Sequence, residues 1–134
     1  MPINKESAYP ADWFKKAKDD FKRVEARLEE GDTEDAAFHL QQSIEKALKG
    51  FLLFKGWKLQ KIHDLEALLD EAIQHNSSLE RFRTLIQNTT GYYLVERYPG
   101  FEVGPSQEEV TKAYQESKSF ISLIQHELRT NPRK

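Results

Sequence analysis

Residues 37–50, AFHLQQSIEKALKG, carry an apolar stripe and a row of polar side chains on the same segment. The apolar positions continue past this segment at the three-and-four spacing of an amphipathic helix; they are Ala37, Leu40, Ile44, Ala47, Leu48, Phe51 and Leu52. Asp32 or Thr33 is expected to cap the start of the helix, and Gly56 to end it. The pattern predicts a long helix with one face buried in a core.

The polar positions of this helix form a ridge, which we define by His39, Gln42, Lys46 and Lys49. Glu45 lies four positions before Lys49, a spacing that suits an ion pair. One interpretation is a solvated face with a single ion pair, because charged side chains on helices usually face water. The other is an anion site in which the two lysines bind a phosphate. Spacing alone leaves both open.

Helix-start and helix-stop signals on either side of residues 37–50 predict one helix before this segment and one after it. The first helix opens at Pro10 and ends at Gly31. Its apolar face is formed by Trp13, Phe14, Ala17, Phe21, Val24 and Leu28. His63 and Asp64 precede the third helix, and Asp64 is a candidate N-cap. His63 either holds the connector before this helix or acts as a ligand-binding residue.

The second half of the chain is predicted to hold two more helices. The fourth follows residues 76–78, kinks near Gly91 and resumes through Tyr98. Ser106 and Glu109 resemble a capping box at the start of the fifth. No segment alternates with period two, so no strand is expected. The predicted fold is all-α, an antiparallel bundle of about five helices.

The composition fits one globular domain spanning residues 1–134, with a core at about 10–129 and frayed tails. Hydrophobic residues make up 38% of the chain and charged residues 31%, too apolar a balance for a disordered segment. The absence of cysteine excludes disulfides, thiolate nucleophiles and cysteine-ligated metals. The longest apolar stretch, residues 51–54, is too short to span a bilayer, so a cytoplasmic location is predicted.

Charge and histidine spacing argue against several kinds of site. The formal net charge is −2, so any binding of nucleic acid must use a local basic patch. The four histidines are isolated from one another, and no glycine loop that cradles phosphate is present. We therefore expect neither a metal nor a cofactor.

The densest aromatic cluster surrounds Arg97 and comprises Tyr92, Tyr93 and Tyr98. These rings either pack in the core or stack on a base while Arg97 holds a phosphate. A basic run beside Trp57, formed by Lys55, Lys58 and Lys61, either extends such a site or is a solvated connector.

Three separated motifs resemble the HEPN family over about residues 13–128. The segment 37–50 resembles its signature helix, with a phenylalanine, paired glutamines, glutamate-lysine-alanine and a further lysine. His63-Asp64-Leu65 is similar to the family's entry to the third helix, and Arg97-Tyr98-Pro99-Gly100 to its later stop. Trp13, Ala17 and Asp20 also fit. The resemblance implies a HEPN helical bundle, commonly a homodimer, and often a partner of a minimal nucleotidyltransferase.

The family also includes ribonuclease toxins, whose motif is an arginine followed after about four to six residues by a histidine. In such a motif histidine moves the 2′-hydroxyl proton and arginine steadies charge on the phosphate. No arginine and histidine of this chain have that order and spacing, and Arg97 is followed by Pro99 and Gly100 instead. The sequence therefore favours binding over catalysis.

The preferred hypothesis is a HEPN domain that binds a nucleotide or another phosphate-bearing ligand, or docks a nucleotidyltransferase in a two-component, toxin–antitoxin-like system. The candidate ligand-binding residues are Gln42, Glu45, Lys46, Lys49, His63, Asp64, Tyr93 and Arg97. One alternative is a metal-independent ribonuclease toxin that pairs His63 with Arg97 across a dimer cleft. Another is a purely structural dimeric interaction module.

Overall fold

A computed structural model describes residues 9–92 and 104–130 of the chain. Within these ranges the chain forms five α-helices and one 3₁₀ helix, and contains no strand. The helices are α1 (Pro10–Glu29), α2 (Thr33–Phe54), α3 (Leu65–Ile73), the 3₁₀ helix (Ser77–Phe82), α4 (Arg83–Thr89) and α5 (Gln107–Thr130). The predicted all-α fold is confirmed.

Helices α1 and α2 form an antiparallel hairpin. Gly31 has φ of +77°, the left-handed conformation in which glycine pays no steric penalty, and the chain turns there. The side chain of Asp32 then caps α2 by accepting a hydrogen bond of 3.2 Å from the backbone N–H of Asp35. At the other end of the hairpin, Gly50 packs against the backbone of Pro10. The absence of a side chain at Gly50 lets the two helices approach closely.

Helix α2 lies at the centre of the bundle and contacts α1, α3, α4 and α5. Its apolar stripe is fully buried, as the spacing predicts; the residues with no exposed surface include Leu40, Ile44, Leu48, Phe51 and Leu52. Apart from Trp13, the buried apolar residues of the described ranges join in one cluster. Burial of this size is the main stabilising contribution to such a fold. The polar ridge of α2 is therefore carried by the best-packed helix.

The predicted fourth helix is split into the 3₁₀ helix and α4, which corrects the expectation of one continuous element. The side chain of Asn76 accepts a hydrogen bond of 3.0 Å from the backbone N–H of Ser78, and this local bond favours a tight first turn. Arg83, at the junction, joins the segments by ion pairs to Glu66, Asp70 and Glu80. The predicted continuation over residues 93–98 lies outside the described residues.

Helix α5 closes the bundle with the predicted capping box. The backbone N–H of Ser106 donates to the Glu109 carboxylate at 2.8 Å, and the backbone N–H of Glu109 donates to the Ser106 hydroxyl at 3.0 Å. Val110, Phe120 and Ile124 are fully buried on its inward face. Among the described residues no helix combines the length and apolar character that crossing a membrane requires.

Candidate functional site

Asp20 of α1 lies on the buried side of the hairpin, beneath the polar ridge of α2. Its carboxylate accepts a hydrogen bond of 2.6 Å from Nζ of Lys46, and its other oxygen lies 2.9 Å from Nδ1 of His39. Asp20 itself is only 4% exposed. We call Asp20, His39 and Lys46 the Asp20 cluster. It ties the first two helices together through charge.

A second buried carboxylate, Glu45, lies on α2 itself and likewise has a lysine and a histidine beside it. One oxygen of Glu45 lies 3.0 Å from Nζ of Lys49 and 2.8 Å from Nδ1 of His63. The other accepts a hydrogen bond of 3.3 Å from the amide of Gln41. We call Glu45, Lys49 and His63 the Glu45 cluster. It fastens the connector between α2 and α3 to the helix.

Each cluster holds one carboxylate, one lysine and one histidine. A buried carboxylate needs a counter-charge, and the lysine provides it in both cases. The Asp20 cluster has two further charged neighbours: Arg23 lies 3.6 Å from the Asp20 carboxylate, and the carboxylate of Asp35 lies 3.5 Å from Nε2 of His39. The histidines differ in access: the side chain of His39 is 17% exposed, whereas that of His63 is 71% exposed.

The ridge of α2 is therefore not a solvated face, and that interpretation is wrong. Lys49 is 4% exposed and also lies over the ring of Trp13, with Nζ 5.5 Å from the ring centroid. The Lys46 side chain is 22% exposed and is paired with Asp20. Gln42 is half-buried and donates to the side-chain oxygen of Gln41 at 2.7 Å. The predicted Glu45–Lys49 ion pair exists, but it is buried.

The remaining predicted site residues fall into two groups. The carboxylate of Asp64 accepts hydrogen bonds from the backbone N–H groups of Glu66 and Ala67, so it caps α3 as expected. Tyr93 and Arg97 lie outside the described residues. Their neighbour Tyr92 is buried, and this burial raises the pKa of its hydroxyl. The ring of Tyr92 therefore packs in the core.

Sequence reasoning missed Asp20 and Gln41 as members of the site. A signal for both was present, because each falls on an apolar stripe. Asp20 lies three positions after Ala17 and four before Val24, and all three are buried. A carboxylate at such a position must find a partner, which marks it as a candidate for a buried polar cluster.

In the described part of the chain, no group of three or more histidine and carboxylate side chains is arranged to hold a metal ion. The chemistry available is hydrogen bonding, charge pairing and proton transfer by an anchored imidazole.

The fold and the two clusters define a helical-bundle domain whose central helix carries a buried, charge-paired ridge. The model of the family described as "HEPN domain" matches residues 10–127, and the chain belongs to this family. A comparison with curated proteins and another with solved structures each gave no match.

Proposed function

We propose that this HEPN domain binds a nucleotide or another phosphate-bearing ligand, with His63 as the residue that meets the phosphate. The observation that carries the proposal is the geometry of His63, which is anchored by Nδ1 to the buried Glu45 while 71% of its side chain is exposed. Anchoring through one ring nitrogen leaves the other, Nε2, available to a ligand.

The buried carboxylate gives this histidine its chemistry. One oxygen of Glu45 lies 2.8 Å from Nδ1 and holds the imidazole ring in place. When Nε2 carries a proton, it donates a hydrogen bond to a phosphate oxygen. Lys49 lies 3.0 Å from the same carboxylate oxygen and offsets its negative charge, so the carboxylate does not repel the phosphate.

The two lysines of the ridge support the site without contacting the ligand. Each lysine is paired with a buried carboxylate, which already offsets its positive charge. Lys49 instead offsets the charge of Glu45 and keeps that carboxylate oriented. Lys46, which is the more exposed of the two, contributes to the electrostatic potential beside Gln42. The proposed ligand contact is therefore His63, beside the ridge, and not a lysine of the ridge itself.

Calorimetric titration with adenosine triphosphate and with a short single-stranded RNA tests the proposal. We expect wild type to bind at least one of these, and His63→Ala to weaken that binding about tenfold or more, since it removes the only proposed direct contact. Lys46 and Lys49 are both unsuitable for this test, because removing either one leaves a buried carboxylate, Asp20 or Glu45, without its lysine.

The matched control is His75→Ala, which removes an exposed histidine away from the two clusters. It should bind as wild type does. Absence of binding to wild type, or equal affinity in wild type and His63→Ala, would overturn the proposal. Circular dichroism on each variant separates lost binding from lost folding.

RNA cleavage is a second candidate, and the same carboxylate-anchored histidine favours it. In its neutral form His63 donates through Nδ1 to Glu45 and presents Nε2 as a proton acceptor, the arrangement of a general base. Purified protein incubated with total RNA, beside His63→Ala and Arg97→Ala, distinguishes the two functions. Intact RNA at high protein concentration would leave binding as the function.

Association with a second copy of the chain and with a minimal nucleotidyltransferase is a further proposal, supported by membership of the family. Light scattering measures the first directly, with twice the mass of 15.7 kDa expected for a homodimer. A nucleotidyltransferase encoded beside this chain and copurifying with it would support the second. If neither a ligand nor RNA cleavage is detected, a purely structural interaction module becomes the better hypothesis.

A further inference from the structure

A groove with a volume of about 950 Å³ lies between the start of α1, the end of α2 and the end of α5. Its floor is apolar and is formed by Phe14, Leu53, Phe54 and Leu128. Its walls carry five cationic side chains, namely Lys15, Lys18, Lys22, Lys55 and Arg129, with Asp19 as the only acid among the lining residues. On a chain whose formal net charge is −2, this is a local concentration of positive charge.

The groove is separate from the two clusters of the candidate site. At 100° per residue, Lys18 and Lys22 lie about 160° around α1 from Asp20. Asp20 faces α2, so these lysines face the opposite side of the helix.

Several of these cations are unpaired within the described part of the chain. Lys18, Lys22 and Arg129 form no ion pair there, and Lys15 has only an exposed contact of 3.5 Å with Asp19. Lys55 differs, since it lies 3.8 Å from Glu127 and over the ring of Phe54. Like charges held close together repel one another, and a ligand with negative charge would relieve that repulsion.

We propose that this groove binds a short acidic amphipathic helix of a partner protein. Lys15, Lys18 and Lys22 are spaced by three and four residues, so they form a row about 10 Å long on α1. A partner helix with acidic residues spaced by three and four presents a row of carboxylates with the same spacing as this row of lysines. Its apolar face would then cover the floor, as in other helix-in-groove complexes.

The length of the lysine row agrees with this occupant. The row spans two turns of α1, about 10 Å, and two turns of a partner helix, about 11 Å long, would match it. A single-stranded nucleic acid would need exposed rings for stacking. Of the two phenylalanines in the floor, Phe14 is only 8% exposed, and Phe54 is half-buried with Nζ of Lys55 over its ring.

The test uses a fluorescein-labelled peptide of about 18 residues, long enough to form a helix, with leucines on one face and glutamates along one edge. The comparison peptide has lysine in place of each glutamate. In fluorescence anisotropy, we expect saturable binding of the acidic peptide that weakens with salt, and no binding of the basic one.

Charge reversal identifies the surface. Lys18→Glu/Lys22→Glu should weaken binding of the acidic peptide about tenfold or more. The matched control, Arg81→Glu/Lys112→Glu, changes the net charge equally at exposed cations on another part of the surface. It should change affinity less than about twofold, since distant charges are screened at physiological salt. His63→Ala should bind the peptide as wild type does, which keeps this test independent of the ligand site.

The proposal fails if the acidic peptide does not bind, if both peptides bind equally, or if the Lys18→Glu/Lys22→Glu variant binds like wild type. Single-stranded RNA and dodecanoate are titrated in parallel. Binding of either that is lost in that variant, without binding of the peptide, would assign the groove to a different occupant and overturn the proposal.

Discussion

The carboxylate of Asp20 and the ammonium group of Lys46 lie 2.6 Å apart, although 26 positions separate the two residues in the chain. The contact crosses from α1 to α2, and His39 shares the same carboxylate at 2.9 Å. Because Asp20 is nearly inaccessible to water, its charge depends on these partners. The polar ridge of α2 is thereby held in place by the first helix.

The first prediction concerns this buried carboxylate. Asp20→Ala should lower the free energy of unfolding by about 2 kcal/mol or more, because Lys46 and His39 lose their common partner. Urea denaturation at neutral pH measures the change. Asp19→Ala is the matched control and should cost less than about 1 kcal/mol, since among the described residues the only ion pair of Asp19 is an exposed contact with Lys15. Equal losses in the two variants would contradict the assigned role.

The second prediction is that Glu45 and Lys49 are energetically coupled. Glu45→Gln leaves Lys49 buried without its counter-charge, and Lys49→Met does the same to Glu45. The double variant removes both charges, so it should lose less stability than the sum of the single losses, by about 1 kcal/mol or more. The exposed pair Lys15–Asp19 provides the comparison, with an expected coupling below about 0.5 kcal/mol. Additive losses at Glu45 and Lys49 would argue against a buried ion pair.

The third prediction concerns the close approach of α1 and α2 at Gly50. A Cβ atom there would lie 3.2 Å from the backbone oxygen of Pro10, so α1 would have to shift. In an exposed helix, replacing glycine with alanine raises the free energy of unfolding by about 1 kcal/mol. Gly50→Ala should therefore raise it by less. Gly50→Val should cost about 2 kcal/mol, measured by denaturant unfolding. Gly91→Ala is the control, because no atom of the described residues lies within 4 Å of a Cβ built there. A Gly50→Val variant as stable as wild type would refute the packing argument.

The fourth prediction is a pH dependence at the junction of the 3₁₀ helix and α4. The hydrogen bond from Arg83 lowers the pKa of Glu80 from its ordinary value of 4.5. The ionised form is thus favoured in the folded state. Its stabilisation is complete above the ordinary pKa and is lost as the pH falls through the lower folded-state pKa.

Glu80→Gln should accordingly show a smaller fall in melting temperature than wild type between about pH 5 and pH 3. Glu71→Gln, which changes an exposed glutamate with no ion pair in the described residues, should follow the wild-type curve. Parallel curves for wild type and Glu80→Gln would count against this contribution of Glu80.

The helices, their caps and the inward faces were predictable because the interactions that specify them are local. The bond from Asp35 to Asp32 and the box of Ser106 and Glu109 each join residues three positions apart. The three-and-four spacing of α2 likewise identified its buried face. The division of the fourth helix was not anticipated, since it depends on one side-chain bond of Asn76 and on the contacts of Arg83 with α3.

By itself the amino-acid sequence determined an all-α chain and pointed to α2 as the helix that carries the polar residues of interest. Only the tertiary structure decided what those residues face. The partners of Lys46 and His63 lie 26 and 18 positions away in the chain, so no local pattern connects them. Packing of α1 and of the connector against α2 removes water from Asp20 and Glu45, and a carboxylate without water must take its partners from the protein. That requirement turned an apparent surface ridge into two buried charge clusters and left His63 as the accessible group.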